Sequence, residues 1–101
     1  MVKVINALRY DTDTAELVCE YEFSRNGDFR HIYDALYRTE SGKWFTCGYG
    51  GPLTKYAVPG ENGWTNGSED LQPVSDSEAY EFLEYHASAD VIARYFSVQD
   101  A

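Results

Sequence analysis

The chain has 101 residues, a length that one hydrophobic core fills, so we expect a single domain over residues 1–101 with no internal linker. Hydrophobic residues make up 44% and aromatic residues 16%, which excludes a disordered chain despite 17 acids against 8 bases. A net charge of -9 excludes direct nucleic-acid binding and an anionic membrane surface as first expectations, because both would repel it.

No secretory leader or membrane span is read at MVKVINALRY, so a cytoplasmic location is expected. Two separated cysteines, Cys19 and Cys47, give neither a disulfide scaffold nor a metal motif, and both read as core thiols. The charge is unevenly placed. Residues 1–60 hold 8 acids and 7 bases, whereas residues 61–101 hold 9 acids and only Arg94.

In chain order, period-two alternation opens the sequence and marks strands. Val2, Val4, Leu8 and Tyr10 share one parity, with Ile5 and Ala7 on the other, in a first extended segment. Asp11 to Thr14 supply short polar side chains for a tight connection. Ala15, Leu17, Cys19, Tyr21 and Phe23 then line one face of a second strand, opposite Thr14, Glu16, Glu20 and Glu22. Asn26-Gly27 tolerates the positive φ of a two-residue hairpin and should join this strand to a third. Phe29, His31, Tyr33, Ala35 and Tyr37 alternate along that third strand, and Glu40-Ser41-Gly42 turns the chain into a fourth, Lys43–Cys47.

Gly48-Tyr49-Gly50-Gly51-Pro52 should break the fourth strand, since glycine packs nothing and proline lacks a ladder donor. A short strand over Leu53–Val58 is expected next, then a loop from Pro59 to Pro73 pinned by Trp64, with Leu71 starting a brief edge strand. Ser75-Asp76-Ser77-Glu78 is a capping box that predicts a helix to about His86. Ala79, Phe82, Leu83 and His86 carry the spacing of its buried stripe. A second helix capped by Ser88 should bury Val91, Ile92, Tyr95 and Phe96. The expected fold is therefore α+β: an antiparallel meander of about four to five strands followed by one or two helices packed on the sheet.

The first helix carries the most informative surface. At about 100° per residue from Asp76, Glu84 falls near ~80°, Glu81 near ~140° and Glu78 near ~200°, whereas the apolar stripe lies between ~240° and ~340°. Four carboxylates thus share the solvent arc, with Tyr80 and Tyr85 at its edges or within it, and no lysine or arginine four residues away. The bland reading is a solvated face with acids favourably placed in the first turn. The functional reading is a contact surface for a basic partner. A second row, Glu16, Glu20 and Glu22, either extends that patch or, as the leading expectation, meets Arg30 and Arg38 across the sheet.

Catalytic signals are weak. His31 and His86 read as packed or hydrogen-bonded rings, and two histidines with two distant cysteines give no zinc spacing. Asp11 to Asp13 lacks the glycine and distal glutamate of a calcium loop, and the Gly48–Gly51 run lacks the lysine and helix of a phosphate loop. No cofactor, metal or catalytic residue is expected.

Across Asn6–Ala15 (NALRYDTDTA), Leu36–Phe45 (LYRTESGKWF), Gly50-Gly51 and Pro73–Ala79 (PVSDSEA), the chain resembles a family of small bacterial proteins associated with mobile elements. That family carries no active-site motif to transfer. In size, acidity and lack of a catalytic signature the chain is also similar in type to phage- and plasmid-encoded inhibitors of the anti-CRISPR and anti-restriction kinds. That likeness implies an acidic surface that imitates a nucleic-acid backbone and occupies a basic groove on a nuclease complex.

The leading expectation is a non-enzymatic module that presents Asp76, Glu78, Tyr80, Glu81, Glu84 and Tyr85, with Glu69 and Asp70 from the adjoining loop, to a basic protein surface. A second is a small-ligand or peptide binder using Trp44, Tyr49, Tyr56 and Trp64 near the glycine-rich bend. A third is an enzyme using His31 with Asp34 or Tyr33. The sequence leaves oligomeric state open.

Overall fold

The computed structural model describes residues 1–25 and 27–101, so the Asn26 half of the expected Asn26-Gly27 turn lies outside the described residues. The architecture is α+β. A four-stranded antiparallel sheet has the order β3-β4-β5-β8, formed by β3 (Glu16–Phe23), β4 (Ile32–Arg38), β5 (Trp44–Gly50) and β8 (Ser68–Val74). It is flanked by a hairpin of β1 (Val2–Ile5) and β2 (Leu8–Asp11), and by a small ribbon of β6 (Val58–Pro59) and β7 (Thr65–Asn66). Helices α1 (Asp76–His86) and α2 (Ala89–Tyr95) complete the chain. Among the described residues no helix is long and apolar enough to cross a membrane.

The first segment is not one strand. It folds back at Asn6 and Ala7, whose φ values of 53° and 65° make a two-residue hairpin turn, pairing Val2 with Asp11 and Ile5 with Leu8. The pattern hid this turn because alanine seldom adopts positive φ. The hairpin packs on the main sheet through Tyr10, whose ring meets Phe45 edge-on at 5.5 Å, together with Ile5 and Leu71.

The second strand is also less regular than its alternation suggests. A bulge between Leu17 and Cys19 shifts the register, so Val18 and Cys19 both pack towards the helices while Leu17 and Phe23 are left exposed. Strand β4 begins at Ile32, and Phe29 lies exposed in the connection, where Asp28 accepts from Ser24 Oγ and Arg30 N. The expected turn at Gly42 is present, with φ of 89° and Thr39 N donating to Lys43 O at 2.8 Å.

The glycine-rich run does not end β5, which continues to Gly50. Gly48 sits directly opposite Asp34, and a Cβ there would lie 2.1 Å from Tyr33 O and 2.6 Å from the Tyr56 hydroxyl. A glycine is therefore what lets the Tyr56 ring close over the strand. The stretch Leu53–Val58 turns rather than extends, with only Val58 and Pro59 in a ribbon. Trp64 does not pin its loop, being 74% exposed. The anticipated brief strand at Leu71 is a full edge strand, Ser68–Val74, and it tolerates Pro73 because it lies at the sheet edge.

Two small cores form on the two sheet faces. Leu36 and Trp44 bury against Ala79 and Leu83 of α1, with Val91, Ile92, Tyr95 and Phe96 closing over them. Phe45, Leu71 and Tyr10 fill the other face beneath the hairpin. Each such side chain withdrawn from water contributes about 1.5–3 kcal/mol. Arg38 lies 5.5 Å from the Trp44 ring and 5.8 Å from that of Tyr95, so its planar cation spans two core aromatics.

Candidate functional site

Helix α1 forms as its sequence dictates. Ser75 Oγ accepts from Glu78 N at 3.1 Å, and Glu78 Oε1 accepts from Ser75 N at 3.0 Å. These bonds hold the Glu78 carboxyl below its ordinary pKa, the backbone donor being the larger cause. Ala79 and Leu83 are fully buried, which turns the opposite arc outward. Asp76, Glu78, Glu81 and Glu84 are exposed along that arc, and Tyr85 is 75% exposed beside them. No ion pair among the described residues engages these four carboxylates. Together they make a ridge of negative charge on a rigid, capped element.

The remaining residues of the expected surface are placed differently. Tyr80 is half-buried with its ring edge-on to Phe96 at 5.2 Å, so it braces the two helices. Asp70 pairs with Lys3 Nζ at 2.5 Å and accepts from Gln72 Nε2 at 2.7 Å, which holds its carboxyl low and cancels its charge. Glu69 is exposed in register with Tyr49, and the alternation of β8 puts it on the face opposite α1. The structure thus gathers Asp76, Glu78, Glu81, Glu84 and Tyr85, and leaves Glu69 and Asp70 apart from them.

Glu16 lies directly opposite Arg38 in register, as expected, but no carboxylate of the second acidic row forms an ion pair with an arginine among the described residues. Glu16 accepts from the Tyr95 hydroxyl, Glu20 from the Tyr33 hydroxyl, and Glu22 is 2.7 Å from His31 Nε2. Arg30 pairs instead with Asp28. The Tyr33 hydroxyl is pushed well above its ordinary pKa, by burial first and by Glu20 second.

The aromatic set of the ligand-binding expectation is dispersed. Trp44 lies in the helix-side core, Tyr56 is buried against Asp34, Tyr49 stacks on Tyr33 on the far face, and Trp64 stands alone in solvent. The expected pairing of His31 with Asp34 is likewise absent. His31 is 5% exposed and bonded to Glu22, whereas Asp34 points to the helix side, where it accepts from the Tyr56 hydroxyl and pairs with Lys55 at 2.8 Å. Burial raises the pKa of the Tyr56 hydroxyl, and its bond to Asp34 raises it further. Cys19 and Cys47 are free, half-buried, and both thiols are pushed up by burial, which disfavours the reactive thiolate. Among the described residues no cluster of three or more His, Cys, Asp or Glu side chains is arranged to hold a metal ion.

A cleft of about 310 Å³ between α1 and the sheet was not anticipated. Asp34, Thr46 and Val74 form its sheet side, and Glu78, Glu81, Phe82, Tyr85 and His86 line it from α1. His86 stacks on Tyr21 at 4.1 Å, and burial holds its pKa below the ordinary value, with Lys55 adding to that and Asp34 opposing it. One local signal pointed here: a glycine inside a strand pattern marks a close approach, and Gly48 faces Tyr56 and Asp34. No protein-family model, no curated protein and no solved structure matches the chain.

Proposed function

We propose that the protein is a non-enzymatic binding module of the cytoplasm that docks the acidic face of α1 on a basic, nucleic-acid-binding protein surface. The observation that carries this reading is the ridge of Asp76, Glu78, Glu81 and Glu84, which has no ion-pair partner among the described residues and is held on a capped helix with Tyr85 exposed at its side. Fixed carboxylates on a helix imitate a row of phosphates. They steer a cationic partner over a distance of order one Debye length, about 8–10 Å in ordinary salt. An exposed tyrosine adds contact area at small entropic cost. The resemblance to mobile-element proteins and the likeness in type to anti-CRISPR and anti-restriction inhibitors agree with a protein that covers a nuclease groove and performs no chemistry of its own.

The test is capture from a lysate of the source cells with tagged wild-type chain and with the Glu81→Lys/Glu84→Lys double variant. A partner that binds wild type, is displaced by duplex DNA or by salt, and fails to bind the double variant is expected. Equal capture by both chains, unmoved by DNA, removes the proposal.

A further inference from the structure

The cleft beneath the acidic ridge is more than a gap between helix and sheet. Two of its polar side chains come from the sheet interior: Asp34 is 6% exposed and Thr46 is 9% exposed. The oxygens of Asp34 are committed, Oδ1 to the Tyr56 hydroxyl and Oδ2 to Lys55. The Thr46 hydroxyl, by contrast, makes no hydrogen bond among the described residues although its side chain lines the cleft. That oxygen is not one of the buried atoms left without a partner, so it is reached from the cleft and can accept a hydrogen bond from, or donate one to, whatever occupies it. Above it, the Glu81 carboxylate makes no hydrogen bond or ion pair among the described residues, and Glu78 commits one oxygen to the Ser75 cap. The rings of Phe82, Tyr85 and His86 complete the wall.

The charge balance selects the ligand. Asp34, Glu78 and Glu81 bring three negative charges, Lys55 brings one positive charge, and His86 is disfavoured as a cation by its burial. An anion is therefore repelled. A flat cation that donates several hydrogen bonds and lies on aromatic faces fits, and guanidinium has that form where ammonium does not. We infer that this cleft is a socket for the guanidinium group of an arginine side chain, donated to Thr46 Oγ1 and the Glu81 carboxylate between the rings of α1. The inference rests on reading α1 as the docking face for a basic protein and supplies the anchor of that contact, since a desolvated arginine in a pocket is a common centre of binding energy.

The experiment is a titration of the full chain with N-acetyl-arginine amide, followed by amide and methyl NMR, with N-acetyl-citrulline amide as the uncharged isostere. Saturable shifts centred on Thr46, Glu81 and His86 are expected with the arginine probe and not with citrulline. Thr46→Val and Glu81→Gln should each weaken the arginine probe at least about fivefold while leaving the rest of the spectrum in place. Equal shifts from both probes, or undiminished affinity in both variants, would overturn the socket. The two failures are separable. If the probe leaves the cleft unperturbed while Glu81→Lys/Glu84→Lys still abolishes partner capture, the socket falls and the docking face stands. If capture is indifferent to charge but the probe binds as described, the socket stands as a guanidinium site and the docking face falls.

Discussion

Replacing Gly48 by alanine should destabilise the protein strongly, against the usual effect of that change. In an unencumbered strand, Gly→Ala is stabilising by about 0.5–1 kcal/mol, because glycine loses the most backbone freedom on folding. Here the new Cβ would lie 2.1 Å from Tyr33 O, and 2.6 Å from both Asp34 Oδ1 and the Tyr56 hydroxyl. No rotamer change relieves a clash with a backbone carbonyl, so β4 and β5 must separate where Asp34 faces Gly48. Overpacking of this kind costs about 1–3 kcal/mol. Loss of the buried bond from Tyr56 to an ionised Asp34 costs about 1.5–3 kcal/mol more. After the propensity gain, the net loss is about 2–5 kcal/mol, a fall in Tm of at least about 8 °C for a chain of this size. Urea unfolding followed by tryptophan fluorescence measures it, with an unchanged slope confirming that the same surface unfolds. A Gly48→Ala variant as stable as wild type would refute the close approach of Tyr56 and with it the shape of the cleft's sheet side.

Three further outcomes follow from local geometry. Ser75→Ala should cost about 0.5–2 kcal/mol by removing the bond to Glu78 N, and helix content by circular dichroism should fall with it. Ala7→Gly should stabilise the β1–β2 hairpin by up to about 1 kcal/mol, since Ala7 sits at φ of 65°, and amide exchange in β1 should slow. Stability should decline as pH falls below about 6.5, the ordinary histidine value: partial desolvation holds the His86 pKa below that value, so in that range the unfolded chain binds more protons than the folded one. Its contribution is whole above that pH and is lost below it, and His86→Phe should flatten the change in Tm between pH 7.5 and 5.5.

Both helices were legible in the sequence because their signals are local: Ser75 with Glu78, and Ser88 with Val91, are caps whose partners lie three residues apart. The antiparallel sheet was legible in outline for the same reason, through alternation in β4 and the turn at Gly42. What escaped depends on distant partners. Strand β5 runs through Gly48 because β4 and β8 hold it on both sides while Tyr56 fills the space a side chain would take. Pro73 reads as a breaker, yet it is accommodated in a strand at the sheet edge. The acidic arc of α1 was visible from spacing alone, but nothing in the spacing told that Lys3 would neutralise Asp70 or that Phe96 would hold Tyr80. The cleft needed Asp34, Thr46 and Tyr56 to be brought against α1 by the fold, a combination that no short motif records.

The docking of α1 on a basic surface is tested most directly by the affinity of the captured partner for wild type and for Glu81→Lys/Glu84→Lys, measured across a salt series. The account predicts that wild-type affinity falls steeply with salt, and that the double variant binds at least about tenfold more weakly in low salt, with the gap narrowing as screening increases. Equal affinities at every salt concentration, with the variant still folded, would contradict it.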